Sequence, residues 1–180
     1  MSRTSIHFQA REFGALRRHL LPRGGACEEA AFLFTRTETT DGSTALSVIG
    51  LETIPPGGFT SQSRFHLELT DAARAGVIKR AHDLEAGLIE CHSHPGQRRA
   101  SFSWSDLRGF DDFVPHVRWR LGGRPYAAIV FATDSIDALV WRGASGEREP
   151  IALVDAGRRA IEPTGLTYTN WENIYDQRSL

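Results

Sequence analysis

Two cysteines, Cys27 and Cys91, are all that 180 residues contain. That is too few for a disulfide framework or a Cys-rich zinc ribbon. Lysine is scarcer still, since Lys79 stands alone against 20 arginines. The charges nearly cancel, leaving −1 overall, so no general attraction to nucleic acid or to an anionic membrane is expected. Long hydrophobic runs are missing. Residues 127–132 (AAIVFA) fall far short of the roughly 20 apolar residues that cross a bilayer. The opening MSRTSIHFQ lacks the apolar stretch of a secretory signal, and the expected location is the cytoplasm. Repeats, low-complexity tracts and a dividing linker are absent as well.

What remains is enough for a core. The chain is 41% hydrophobic and 24% charged, the balance of an ordinary folded domain. Its patterns alternate between periods of two and of 3.6. A helix is expected over residues 9–20, where Phe13, Leu16 and Leu20 share a face. Strands are expected over residues 28–37 (EEAAFLFTRT) and 45–54 with a turn at Asp41 and Gly42, an extended stretch over 65–69, and a helix capped by Thr70 or Asp71 and running to Ala86. A short strand at 88–92, a helix over 103–114, and strands at 126–132, 136–141 and 151–154 complete the pattern. Helices interleaved with strands predict an α/β layered domain over residues 1–156, with a mixed sheet flanked by helices. Residues 157–180 have no clear period and read as a tail that packs on the domain or on a partner.

The chemistry concentrates in one segment. His92 and His94 stand two apart at a strand end, so both imidazoles project from one face while Cys91 and Ser93 point the other way. Pro95 then ends the ladder. Eight residues separate His94 from Ser103, and Asp106 follows with the spacing of a capping box. Both fall in the first turn of a helix, at its positive end. Two neutral imidazoles and a carboxylate suit a borderline-soft cation such as Zn²⁺, with a fourth position left for water.

The run His92-Ser93-His94-Pro95 followed by Ser103 and Asp106 resembles the JAMM motif of the JAB/MPN metallopeptidase family. The family usually has seven residues between the second His and the Ser, and this chain has eight. The resemblance implies the cytidine-deaminase-like layered fold and one zinc ion held by His92, His94 and Asp106. It also implies a glutamate on an early strand as general base, followed by two residues, a small residue and an apolar run. Glu28 with Ala31 fits that spacing better than Glu29 with Phe32, and only one of two strand neighbours can face the metal. Ser103 would hydrogen-bond the tetrahedral oxyanion, and Glu28 would move the proton.

The implied reaction is hydrolysis of the amide bond after the C-terminal glycine of a ubiquitin-like protein, in deconjugation or in precursor maturation. The compact sequence looks like bacterial relatives encoded beside ubiquitin-like conjugation machinery, with activating- and conjugating-enzyme-like proteins as partners and a link to antiphage defence. Phe102 and Trp104 flank Ser103 and are candidates to contact an incoming diglycine tail, or simply to pack under the helix. Avoidance of self-modification among lysine-modifying enzymes is one explanation for the lone lysine, and genomic base composition is the plainer one. Two alternatives stand beside the peptidase: a non-catalytic MPN scaffold, and a JAMM peptidase acting on sulfur-carrier proteins or cell-wall peptides.

Overall fold

The computed structural model describes residues 3–9 and 11–171. In chain order, β1 (Thr4–His7) leads to α1 (Glu12–Leu20), then to β2 (Ala30–Thr40) and β3 (Ser43–Thr53). Asp41 and Gly42 join the last two, with φ of 49° and 76°. An Asp-Gly pair with both residues left-handed makes the two-residue turn whose twist matches a hairpin. β4 (Phe59–Gln62) and β5 (Leu67–Leu69) form a small separate hairpin ahead of α2 (Asp71–Asp83). Then follow β6 (Gly87–Ser93), α3 (Trp104–Arg120), β7 (Tyr126–Phe131), β8 (Ile136–Trp141), β9 (Arg148–Asp155), β10 (Ala160–Ile161) and the short α4 (Leu166–Thr169).

The structure corrects the expected architecture. Neighbouring strands run β1, β3, β2, β6, β7, β8 and β9, and β9 pairs back onto β1. Seven strands therefore close into a mixed barrel, with β10 added on β9, and the layered α/β arrangement of an open sheet flanked by helices is not what the chain forms. Closure depends on β1, whose four residues pair in parallel with β3 on one side and with β9 on the other. So short a strand carries no periodic signal naming either neighbour, which is why local patterning missed it.

Alternate residues fill the two faces. Ala31, Leu33, Leu46, Ile89, Cys91 and Ile129 turn inward and join Phe13, Leu16 and Leu20 of α1 in one buried cluster. The outward residues Phe32, Phe34, Leu88 and Ala128 lie under α2 and α3, packed against Val77, Ala81, Leu107 and Phe110. Each of the larger side chains, the Val, Leu, Ile and Phe residues, contributes about 1.5–3 kcal/mol on burial. α1 closes the barrel end where β2 begins: His19 Nε2 lies 2.9 Å from Ala30 O, and Arg17 donates to Thr133 O.

Element ends differ from expectation in ways that packing explains. α3 runs through Pro115 to Arg120 rather than stopping at Val114. The proline removes one N–H, but Val114, Val117 and Leu121 are buried, so the extra turn is held by the core. Residues 59–69 form a two-stranded hairpin where only its second half reads as extended, because β4 (FTSQ) lacks an apolar alternation. Residues 157–171 pack on the barrel through β10 and α4; the expected tail beyond residue 171 lies outside the described residues. No helix among the described residues is long and apolar enough to cross a membrane.

Candidate metal centre

β6 turns Glu90 and His92 outward and Ile89 and Cys91 inward. His94 follows at the strand end, with its N–H on Phe131 O. From above, α3 brings Asp106. Ser103 is the N-cap: its hydroxyl accepts the Asp106 N–H at 3.3 Å, and the Ser103 N–H donates to Asp106 Oδ2 at 2.6 Å. This reciprocal pair fixes the carboxylate at the first turn, where the helix dipole favours it. The result is a close triangle. His92 Nε2 and His94 Nε2 are 3.3 Å apart, and Asp106 Oδ2 lies 3.5 Å from the first and 3.4 Å from the second. Among the described residues, His92, His94 and Asp106 form the one cluster of side chains that could hold a metal ion.

Glu28 completes the outward face. Ala30 on β2 pairs with His92, and continuing that antiparallel register sets Glu28 opposite His94. Glu28 Oε1 is 3.8 Å from His94 Nε2, and the residue is buried. Its backbone is held by the small hairpin, through Glu28 N–H to Ser63 O and Gln62 Nε2 to Glu28 O. Glu29 instead exchanges backbone bonds with Ser93, its N–H going to Ser93 Oγ and its carbonyl accepting the Ser93 N–H.

Burial and charge pull against each other here. Burial works against an imidazolium at His92, yet Asp106, Glu90 and Glu28 outweigh it and push its pKa up to about 9. Burial likewise favours a neutral Asp106, but the charges and hydrogen bonds of His92 and His94 hold its carboxyl well below the usual range. Glu28 goes up: burial dominates, and the neighbouring imidazoles only partly offset it. Carboxylates surrounding two imidazoles make a site that attracts positive charge, whether a proton or a metal cation.

Two residues of this site escaped the sequence reading. Glu90 Oε1 stands 4.0 Å from His92 Nδ1, on the side away from Asp106. Its other oxygen accepts the Tyr126 hydroxyl at 2.6 Å. Tyr126 is fully buried, and burial together with Glu90 raises its pKa well above the ordinary phenol value. At that distance the carboxylate supports the imidazole through its charge and not through a hydrogen bond. The signal was present in the sequence, because Glu90 precedes His92 by two and so shares its face. The Nδ1 of His94 is buried with no hydrogen-bond partner.

A cleft of about 420 Å³ opens from the cluster between β5 and α3, lined by His66, Leu67, Arg74, Phe110 and Phe113 among others. The β4–β5 tip closes one edge. Gly96 lies under the Arg64 guanidinium with φ 86°, a backbone conformation that favours glycine. Phe102 does not face this cleft. It is 2% exposed, with its ring 5.7 Å from that of His92 and 5.2 Å from that of Phe110, so it packs under the helix and offers no surface to an incoming chain. Trp104 is half-buried at the helix start, with the Arg108 guanidinium 5.6 Å from its ring centroid. Cys91 is buried inside the barrel and Cys27 is half-buried. Neither family models nor curated proteins provide a match for this chain.

Proposed function

We propose that the chain is a zinc-dependent metallopeptidase of the JAMM-motif type, acting on the amide bond after the C-terminal glycine of a ubiquitin-like protein. The motif carries this reading, and the layered fold associated with the motif is no part of it. One observation supports it above the others: the donor triangle measures 3.3, 3.4 and 3.5 Å. A tetrahedral ion with bonds of about 2.0–2.1 Å spaces its ligands by roughly 3.3–3.4 Å, so the triangle is close to the size that such an ion, zinc among them, takes. Three protein ligands of this kind leave a fourth position open, as catalytic sites require.

Zinc held there supplies a Lewis acid that acidifies water and polarises a carbonyl. The chain's own groups do the rest. Glu28, buried with a raised pKa, takes a proton and later returns it to the leaving amine. Ser103 lies at the cluster edge, its hydroxyl 2.7 Å from Asp106 Oδ2. In the reaction that hydroxyl turns to the oxyanion, at the positive end of α3. Cys91 takes no part, since burial pushes its thiol well above the ordinary value and it faces the barrel interior. A diglycine tail enters extended along the cleft between β5 and α3. Cytoplasmic activating- and conjugating-enzyme-like proteins encoded nearby would supply the conjugates, in a bacterial setting such as antiphage defence.

Purified protein should contain one zinc per chain and cleave a panel of diglycine-tailed fusions, with activity lost on chelation and restored by zinc. Glu28→Ala should abolish cleavage while Glu29→Ala leaves it nearly intact. Zinc-free protein, or cleavage that survives chelation, would remove the metallopeptidase reading. Cleavage of muropeptides but not of the fusions would replace the substrate class.

A further inference from the structure

Asp137 belongs to β8 and takes no part in the metal cluster, yet it is fully buried. Four donors converge on it. The N–H groups of Ala138 and Gly165 reach Oδ1, both at 3.0 Å. The Thr167 N–H and hydroxyl reach Oδ2 at 2.9 and 2.6 Å. A carboxylate removed from water is costly unless saturated in this way. Here most of the saturating groups come from residues 165–167, which the proposed chemistry does not use.

The same segment grips the chain leading to α3. Thr167 Oγ1, its proton given to Asp137, accepts the Phe102 N–H at 2.9 Å. Thr164 Oγ1 donates to Ala100 O at 2.8 Å, and the Thr164 N–H bonds Ile136 O. Phe102 immediately precedes Ser103, whose N–H is bound to Asp106 Oδ2. Sheet register supplies the other end of the span. Val130 pairs with both His92 and Asp137, so the carboxylate that receives the grip lies in the same cross-strand row as the metal-facing imidazole. His92 rides on a strand and Asp106 on a helix, and the link between them runs irregularly from His94 to Ser103. Its first half is tied to residues 133–135 through Gln97, Arg98 and Ala100. Its last residues are tied to Thr164 and Thr167.

We infer that residues 164–167, anchored on Asp137, are a positioning clasp that holds Asp106 at metal-binding distance from His92 and His94, with Thr167 as the residue that transmits it. The inference rests on the metal reading above and adds to it a role for the C-terminal segment.

Thr167→Val keeps the side-chain size and removes both hydroxyl bonds, while Thr167→Ser keeps them. In the full chain, zinc affinity by chelator competition should fall about ten- to a hundredfold in Thr167→Val, the range seen when support of a ligand is lost, and return in Thr167→Ser. A barrel-interior control, Ile151→Val, should lower Tm with zinc affinity unchanged. In metal-free protein, amides 102–107 should exchange faster in Thr167→Val while those of β6 and β7 do not change. If Thr167→Val fails to fold, Thr164→Val removes the bond to Ala100 O and the longer one from the Leu166 N–H, leaves the Thr167 bonds in place, and should show both effects in smaller measure. Unaltered affinity and unaltered exchange would overturn the clasp. Failure of the unsubstituted chain to take up zinc would overturn the metal reading instead, and exchange alone would then decide whether the segment fixes the helix start.

Discussion

Cys91 and His92 are neighbours on β6, both almost wholly buried, and burial does opposite things to their chemistry. Inside the barrel, Cys91 meets apolar side chains, and loss of water with Glu90 nearby raises its thiol well above the ordinary range. It stays neutral and inert. One residue on, His92 meets Asp106, Glu90 and Glu28, which outweigh the same loss of water and favour its charged form. Low dielectric silences a lone group and amplifies a surrounded one. The two faces of a single strand thus separate core from site, and the two-residue period of the backbone makes the separation.

Removing a ligand should break that contrast most severely. His92→Ala or Asp106→Ala is expected to abolish stoichiometric zinc by elemental analysis and to lower cleavage at least a thousandfold, as loss of an essential catalytic group does. Glu28→Gln should come next. It should cost a hundredfold or more in kcat, the scale of general-base catalysis, with zinc content unchanged, which separates proton transfer from metal binding.

Glu90→Leu sharpens the comparison by making the surroundings of His92 more like those of Cys91. Chelator competition should show zinc affinity about ten- to a hundredfold weaker, since His92 Nδ1 loses the carboxylate behind it. A smaller effect concerns pH. In metal-free protein the raised pKa of His92 contributes stability that is complete below about 6.5 and is lost as pH rises through about 9. Tm should therefore fall between pH 6.5 and 9 by several degrees, on the order set by about 2–4 °C per kcal/mol for a chain of this size. His92→Gln should flatten that slope. Above pH 9 the raised pKa values of Cys91 and Tyr126 add a further loss with the same sign, so the test belongs below it. Cys91→Ala should do least, with cleavage within twofold of the unsubstituted chain and a modest drop in Tm from the small cavity.

How much of this was legible depended on distance along the chain. The outward pairing of His92 and His94 follows from a spacing of two, and Ser103 with Asp106 follows from a helix start of four residues, so local rules reached them. Glu28 was within reach because strand parity separates it from Glu29, and the register with β6 puts it beside His94. Closure of the barrel was beyond reach, since it depends on Thr4–His7 finding partners near residues 44–47 and 151–155. Phe102 illustrates the other limit: its place beside Ser103 suggests a contact surface, and only tertiary packing shows it buried against His92 and Phe110. Thr167 and Asp137 carry no local mark at all, because their meaning lies in bonds to each other and from Thr167 to residue 102, made across 30 and 65 positions.

X-ray absorption at the zinc edge of loaded protein tests the core of the account most directly. Two imidazole nitrogens and two oxygens at about 2.0–2.1 Å are the expected first shell. Sulfur in that shell, fewer than two imidazoles, or no retained zinc in the unsubstituted chain would contradict it.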